Sequence, residues 1–251
     1  MTDELARVHR FEHEVEMAGT KKVPSPLGFG VITPELPLRH DSNFLFVERP
    51  VDAREAMGEA DRILGGEGYD HRVIITFDDA IGEILRPQLN ALGWRTMRHV
   101  FMVQRREPDK DADLSIVKEV DHSALRPGRT REIVAQPWGT PVVAEQILDS
   151  KVFIGHLAET RFFGVEVDGE IVAWTDLYVA QEVAQIEDVA TLREHRGRGY
   201  ATAVVLRAIE VGRALGADLV FLVADDEDWP KALYRRLGFD PVGRLYKFAK
   251  P

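Results

Sequence analysis

Two segments of this chain carry the same order of sequence features, and this internal repeat is the strongest constraint on its fold. Residues 70–79 and residues 218–226 each contain a short apolar run that ends in a pair of aspartates. A helical stretch follows each run and ends in Leu-Gly-aromatic, at residues 92–94 and 237–239. Glycine is favoured just after a helix because the chain there often adopts a left-handed conformation. The repeat therefore predicts two related strand–helix–strand units.

The two copies align with nearly constant spacing. Asp78 and Asp225 are 147 residues apart and Gly93 and Gly238 are 145 apart, so a gap of two residues aligns them. Between the copies, the chain is charged, contains a proline and lacks periodicity, which is typical of a linker. The sequence thus predicts three segments: a first domain over residues 1–104, a linker over 105–113 and a second domain over 114–251.

The second half alternates strand and helix patterns. Predicted strands span residues 114–120, 161–168, 171–180, 183–191, 218–224 and 243–249. Predicted helices span residues 122–134, 140–151, 200–215 and 229–237. Apolar residues three and four apart along residues 200–215 form a stripe that faces a sheet. This order predicts an α+β fold with a mixed, mostly antiparallel sheet flanked by helices, duplicated in the chain.

Composition narrows the functional classes. Acidic residues outnumber basic residues by 42 to 32, so we expect neither nucleic acid nor an anionic membrane as a partner. The absence of cysteine excludes disulfides, cysteine-ligated metals and a thiol nucleophile. The charged first ten residues do not resemble a signal peptide, and no apolar run approaches the ~18 residues of a membrane span. We expect a cytoplasmic protein.

The segment between the strand at 183–191 and the next helix is rich in glycine and arginine. Gly197 and Gly199 remove side chains next to a helix N-terminus, where free N–H groups and the helix dipole attract anions. Three arginines add positive charge: Arg193, Arg196 and Arg198. The segment predicts a diphosphate-binding loop, and the alternative is an exposed basic loop whose glycines only permit a tight turn. Thr202 stands where a dinucleotide fingerprint requires a third glycine, and no Walker P-loop occurs.

Two motifs in this half resemble one known family. Residues 196–201 fit the Gln/Arg-x-x-Gly-x-Gly/Ala motif of the GCN5-related N-acetyltransferases (GNAT). Residues 231–239 resemble the helix of that family that ends in Tyr-x-x-Leu-Gly-Phe. The resemblance covers nearly all of residues 114–251. It implies the GNAT, or acyl-CoA N-acyltransferase, fold and acetyl-CoA as the co-substrate.

The resemblance also assigns cofactor contacts. The loop would hold the diphosphate of coenzyme A, largely through main-chain N–H groups, at Arg196, Gly197, Arg198, Gly199, Tyr200 and Ala201. The preceding strand would pair its backbone with the pantetheine arm, at Val189, Ala190 and Thr191. A backbone N–H near Val189 would polarise the thioester carbonyl, as in an oxyanion hole.

Two residues are the predicted catalytic groups. Tyr234 lies where the family places a general acid for the departing thiolate, and the alternative is a tyrosine packed in the core. We predict Glu187 as the base for the acceptor amine, because it lies two residues before Val189 and points the same way if no bulge intervenes. Asp188 then faces the other side. The alternative is that Glu187 is a structural carboxylate, while Gln185 cannot be a base.

The first half lacks both motifs. Alignment on Leu-Gly-aromatic places Leu89 opposite Tyr234, and a leucine cannot act as an acid. Residues 48–52, before the first-half helix, carry acidic groups and no glycine. We therefore predict that residues 1–104 are a degenerate GNAT-like domain that does not bind coenzyme A, and that packs a sheet edge, shapes the acceptor pocket or binds independently.

Three further residues invite a functional interpretation. His9 and His13 are four residues apart, but no HExxH string accompanies them, so we predict a solvated helix face and no metal site. Trp138 lies in the loop between the first two helices of the second half, which lines the acceptor side in the family. It either stacks on the substrate or packs at the edge of the core.

These features predict an enzyme that transfers an acetyl group from acetyl-CoA to a primary amine by direct attack in a ternary complex. The acceptor is a small amine or the Lys or N-terminal amine of a protein, and the acidic surface favours a cationic one. The alternative is an acyl-CoA-binding regulatory module with vestigial or no transferase activity. The sequence is compatible with a homodimer but does not specify the oligomeric state.

Overall fold

The computed structural model describes residues 2–16 and 21–250. The helices in these ranges are α1 (Asp3–Glu16), α2 (Ala53–Ala60), α3 (Asp79–Ala91), α4 (His122–Val134), α5 (Pro141–Ile154), α6 (Tyr200–Ala214) and α7 (Pro230–Arg236). The strands are β1 (Lys21–Ser25), β2 (Gly28–Ile32), β3 (Phe44–Val47), β4 (Arg72–Thr76), β5 (Arg95–Gln104), β6 (Val117–Glu119), β7 (Glu159–Val167), β8 (Glu170–Ala180), β9 (Val183–Thr191), β10 (Leu219–Asp225) and β11 (Phe239–Lys250).

The described strands form one sheet of eleven, in the order β1-β2-β3-β4-β11-β5-β10-β9-β8-β7-β6. The parallel neighbours are β3 with β4 and β9 with β10, and the other pairs are antiparallel. A parallel pair needs a crossover connection, which α2 supplies in the first half and α6 in the second. The predicted mixed, mostly antiparallel sheet is confirmed, and each half contains the same parallel unit.

The two halves exchange their last strands. β5 comes from the first half but pairs with β10, and β11 comes from the second half but pairs with β4. The two exchanged strands also pair with each other, from Phe239 opposite Gln104 to Ala249 opposite Arg95. The predicted boundary at residues 105–113 therefore separates the sequence repeats, while the strand pairing crosses it.

Helices cover both faces of the second-half sheet. Gly128 of α4 packs on Trp174, where an added Cβ would lie 3.0 Å from the indole. Gly212 of α6 packs on Leu177 and Ala184. Because side chains alternate along a strand, Trp174 and Leu177 point to opposite faces of β8. The central strand is therefore buried on both sides.

α1 packs its apolar side on the sheet at the junction of the halves. The ring centroid of Phe11 lies 5.5 Å from that of Phe221. His13 flanks this side of the helix, with its ring centroid 4.4 Å from that of Phe46 and 5.0 Å from that of Phe77, and His9 likewise contacts aromatic rings. The predicted solvated face for the two histidines was wrong, because their spacing places them beside the buried stripe of α1.

Candidate active site

The loop between β9 and α6 has the geometry of an anion site. Gly197 and Gly199 adopt left-handed conformations, with φ of 77° and 82°. No side chain caps α6, and a helical bond of its first turn runs from the Ala203 N–H to the Gly199 carbonyl at 3.0 Å. The N–H groups of the first helical residues, which include Tyr200 and Ala201, therefore remain available to a ligand.

Two loop arginines have different surroundings. Arg196 turns back onto β9, where its Nε donates to the Thr191 carbonyl at 3.0 Å, and its guanidinium lies 3.6 Å from Glu132. Arg198 is exposed between the two glycines and forms no ion pair with a described residue. Arg196 thus stabilises the loop, whereas Arg198 is free for an anion.

A β-bulge interrupts β9 beside this loop. Asp176 of β8 pairs with Glu187, but Trp174 pairs with Ala190, so a step of two residues on β8 meets a step of three on β9. Asp188 has a φ of 54°, in the left-handed region. A bulge of this kind reverses the alternation of side chains that follows it.

The bulge changes two expectations about side-chain direction. Glu187 and Ala190 point to one face, so Val189 points to the other. The common direction of Glu187 and Val189 was predicted for a strand without a bulge, and the bulge removes that condition. Asp188 does not face away from Glu187. Its Oδ2 lies 3.0 Å from Arg129 Nε, on the face that carries Glu187.

The parallel pairing of β9 and β10 ends early and leaves an open edge. The last paired residues are Ile186 and Leu222, while β10 continues beside β5 to Asp225. From Glu187 to Thr191, β9 has no strand partner on this side among the described residues. Such an edge can hydrogen-bond an extended ligand. The predicted pantetheine contacts lie on it: Val189, Ala190 and Thr191.

Tyr234 of α7 is buried, with 7% of its surface exposed, and its ring lies 6.2 Å from that of Phe239. Burial raises the pKa of Tyr234 well above its ordinary value, and the negative charge of Glu187 raises it further. Its hydroxyl makes no hydrogen bond to a described residue. The phenol therefore stays protonated at neutral pH and is free to donate to a ligand.

A buried charge cluster, made of Arg129, Lys151, Asp176, Tyr178 and Asp188, lies on the Glu187 face of the sheet. Asp176 forms an ion pair with Arg129 and lies 2.9 Å from Lys151 Nζ. The Tyr178 hydroxyl donates to Asp176 at 2.6 Å. Asp188 lies 3.8 Å from Lys151 Nζ and contacts Arg129 as well. Arg129 and Lys151 thus each contact both aspartates.

The three carboxylates of this region, Asp176, Asp188 and Glu187, differ in how far nearby cations offset their negative charge. Burial would raise the pKa of Asp176, but Lys151 and Arg129 hold that pKa below its ordinary value. Burial raises the pKa of Asp188, and the same two cations offset it only in part. Burial also raises the pKa of Glu187, which forms no ion pair with a described residue. Three carboxylates share two cations, so the region favours one more positive charge or a proton.

A cavity of about 490 Å³ opens beside the glycine-rich loop. Its walls are the loop with the start of α6, the end of α7, and the linker segment 110–113. The linker is attached to α7, because the Asp109 N–H donates to the Arg236 carbonyl at 2.7 Å. The volume lies within the range of small-molecule sites.

The first half reaches the site through α1. Gln185 of β9 donates a hydrogen bond from Nε2 to Glu12 at 2.8 Å, and both side chains are buried. Arg7 forms an ion pair with Asp218 at the start of β10. Since Gln185 stands two residues before Glu187, α1 supports the strand that carries the predicted base.

The first-half helix that corresponds to α6 does not have an open N-terminus. Asp52 caps α2, where its carboxylate accepts from the Glu55 N–H at 2.9 Å. Leu89, the counterpart of Tyr234, is fully buried. That residues 1–104 do not bind coenzyme A stays a prediction, which these two differences favour.

Trp138 lies in the turn between α4 and α5 with 54% of its surface exposed, and its role in substrate binding stays a prediction. Within residues 2–16 and 21–250, no group of three His, Asp or Glu side chains is arranged to hold a metal ion. In the same ranges, no helix combines the length and apolar character needed to cross a membrane.

Sequence reasoning missed the charge cluster. Asp176 carried a signal, since an aspartate within the otherwise apolar run of β8 must be paired when buried. Its partners Arg129 and Lys151 come from two helices with no distinctive pattern, so only the fold identifies them.

Comparison with known proteins finds a related family over part of the chain. Residues 129–239 match the acetyltransferase (GNAT) family. An uncharacterized N-acetyltransferase from Methanocaldococcus jannaschii is 33% identical over 90 residues, which cover 33% of this chain and 40% of the relative. The match therefore spans about two fifths of that relative's length.

Solved structures match nearly the whole chain. A functionally unknown conserved protein from Staphylococcus epidermidis superposes with a TM-score of 0.71 at 18% identity, covering 93% of this chain and 94% of that chain. A tandem GNAT protein from the clavulanic acid biosynthesis pathway gives a TM-score of 0.56 at 15% identity, covering 94% and 87%. These structures show that the chain has a GNAT-like fold, and the match to the acetyltransferase (GNAT) family lies within it at residues 129–239.

Proposed function

We propose that this protein is an N-acetyltransferase that moves the acetyl group of acetyl-CoA to a primary amine by direct attack. The observation that carries the proposal is that β9 leaves β10 after Ile186 and opens an edge from Glu187 to Thr191, ahead of the glycine-rich loop and the uncapped N-terminus of α6, inside the region that matches the family. A buried phenol at Tyr234, a carboxylate without an ion pair at Glu187 and an open strand edge are the groups that this reaction needs.

The residues present fit coenzyme A. The N–H groups at the start of α6 and the Arg198 guanidinium suit a diphosphate. The edge from Glu187 to Thr191 suits the amide-bearing pantetheine arm. When bound, acetyl-CoA supplies the activated acyl group, and the chain supplies the proton transfers.

Glu187 accepts the proton that the acceptor amine loses, and Tyr234 donates the proton that the departing thiolate gains. An alkylamine with a pKa of ~10.4 must lose a proton before it attacks, which costs about 4–5 kcal/mol at pH 7. Because burial raises the pKa of Glu187, its carboxylate is a stronger base than an ordinary glutamate and takes this proton, directly or through water. The Tyr234 hydroxyl then donates to the sulfur as the C–S bond breaks.

The charge cluster favours an acceptor that arrives as a cation without a neighbouring carboxylate. Glu187 is the one carboxylate of the region that forms no ion pair with a described residue, so an ammonium group would compensate it. Arg129 and Lys151 are engaged by Asp176 and Asp188 and offer no site for an acceptor carboxylate. The first half contributes to this pocket through Glu12 of α1, which accepts a hydrogen bond from Gln185 of β9.

The test measures thiol release from acetyl-CoA with a panel of primary amines, together with acetyl-CoA binding by calorimetry. Tyr234→Phe should lower kcat about 100-fold or more and leave the Kd of acetyl-CoA within about twofold, because the hydroxyl acts only as the sulfur departs. Tyr69→Phe, a half-buried tyrosine of the first half, is the matched control and should retain wild-type turnover.

Two results would contradict the proposal. Absence of acetyl-CoA binding would remove both the donor and the assigned cofactor loop. Tight binding without release of thiol for any amine would favour the regulatory module instead.

A further inference from the structure

Three walls of the cavity beside the glycine-rich loop each contribute a cation. Lys110 lies in the linker, Arg198 in the loop and Arg236 at the end of α7. All three side chains are exposed, and none forms an ion pair with a described residue. Two carboxylates also line the cavity, at Asp111 and Asp113. Positive charge therefore exceeds negative charge in the lining.

Asp113, one of these two carboxylates, is hydrogen-bonded within its own turn and forms no ion pair with a described cation. Its Oδ1 accepts from the Ser115 hydroxyl at 2.6 Å and from the Ser115 N–H at 2.9 Å. These hydrogen bonds lower the pKa of Asp113, so its carboxylate stays ionised and is oriented toward Ser115. The cations of the lining have no such internal partner.

Lys110 and Arg236 lie on one side of the cavity. The linker backbone follows the end of α7: the Asp109 N–H donates to the Arg236 carbonyl at 2.7 Å, and Arg106 Nη2 donates to the Arg235 carbonyl at 2.9 Å. The residue after Asp109 is Lys110, so these bonds bring its backbone alongside that of Arg236. Arg198 lines the same cavity from the loop, between its two glycines.

We propose that Lys110 and Arg236 bind the 3′-phosphate of coenzyme A, so that the linker between the halves is part of the cofactor site. This inference rests on the proposed use of acetyl-CoA. Coenzyme A carries a diphosphate and one separate phosphomonoester on its ribose. The loop N–H groups and Arg198 account for the diphosphate. The two cations that the linker and α7 add to the lining remain for the phosphomonoester, whose oxygens accept charge-assisted hydrogen bonds.

The test compares acetyl-CoA with its 3′-dephospho form by calorimetry. Wild type should bind acetyl-CoA more tightly than the dephospho form. Lys110→Ala and Arg236→Ala should each weaken acetyl-CoA about 3- to 10-fold and leave the Kd of the dephospho form within about twofold. Lys118→Ala, an exposed lysine paired with Glu166 at 3.1 Å, is the matched control and should change neither Kd.

The outcomes separate this inference from the proposed function. Equal binding of the two ligands by wild type, or equal weakening of both by the two substitutions, would overturn the phosphate assignment while acetyl-CoA binding stands. No binding of either ligand to wild type would overturn the proposed function and this inference together. Thermal melting of each variant shows that a change in Kd does not come from loss of the fold.

Discussion

Asp176 of β8 and Lys151 of α5 form an ion pair inside the protein, with 2.9 Å between Oδ2 and Nζ. Asp176 is fully buried, and Arg129 contacts it from α4, the helix before α5. The pair therefore fixes two helices to the strand beside the predicted base. A buried charge with good partners is tolerated, but removal of one partner leaves the others without compensation.

Asp176→Asn should lower the free energy of unfolding at pH 7 by about 3–5 kcal/mol, because Arg129 and Lys151 would remain buried beside a neutral amide. The pKa of Asp176 is below its ordinary value of 3.8, so the stability that it contributes is present above that pH and is lost as the pH falls below it. Urea unfolding of both proteins at a series of pH values measures the difference.

The matched control for Asp176→Asn is Glu166→Gln, which removes the exposed partner of Lys118. It should cost less than about 1 kcal/mol, since exposed ion pairs contribute little. A similar cost for the two substitutions would contradict a structural role for the charge cluster.

The pH dependence of turnover should report Glu187. A general base acts in its ionised form, so kcat is high above its pKa and falls below it. Because burial raises the pKa of Glu187, the acid limb of kcat should lie above the pH expected for an ordinary glutamate. Glu187→Gln should remove that limb and lower kcat about 100-fold or more. Glu182→Gln, exposed on the turn before β9, should keep the wild-type profile.

Much of the second half could be predicted from its sequence, because local patterns dictate it. The periodicity over residues 200–215 and the strand patterns at 171–180 and 183–191 correspond closely to α6, β8 and β9. The diphosphate-binding role of the glycine-rich loop is predicted from six neighbouring residues, 196–201. At the first predicted strand, residues 114–116 form a 3₁₀ turn instead, and β6 begins at Val117.

The strand exchange, the bulge and the charge cluster could not be predicted, because each depends on distant parts of the chain. The strand pattern of β11 does not say whether β10, or β4 and β5, are its neighbours. The bulge at Asp188 is visible only in the register against β8. Its consequence is chemical, since it turns Asp188 toward Arg129 and separates Val189 from Glu187.

The strand exchange predicts that the second half does not fold well alone. Residues 114–251 would retain β11 without β4 and β5, and β10 without β5, so long strand edges would be unpaired. We expect this fragment to be insoluble or to lack a cooperative unfolding transition, and co-expression with residues 1–104 to restore one. A stable, cooperative fragment would show instead that β11 can pair directly with β10.

The glycines of the repeated Leu-Gly-aromatic motif should differ in their tolerance of alanine. Gly93 and Gly238 both have positive φ, 80° and 89°, so alanine costs about 1–2 kcal/mol at each from the left-handed conformation. Open space surrounds Gly93, but a Cβ on Gly238 would lie 1.9 Å from the Arg106 carbonyl oxygen. Gly238→Ala should therefore lower the free energy of unfolding by clearly more than Gly93→Ala, as measured in urea. Equal costs would mean that the linker moves away freely.

His13 should make the fold sensitive to moderate acid. Burial among aromatic rings lowers its pKa from 6.5 to about 4, so the unfolded chain binds a proton more readily than the folded protein between these values. Stability from a neutral His13 is thus complete above pH 6.5 and decreases as the pH falls toward 4. Replacement by leucine removes this proton uptake, so the urea midpoint of His13→Leu should fall less than that of wild type over the same range. The control is His156→Leu, at an exposed position, whose urea midpoint should change with pH as that of wild type does. If the midpoint of His13→Leu also changed with pH as that of wild type does, the His13 ring would titrate equally in the folded and unfolded states, which would contradict the prediction.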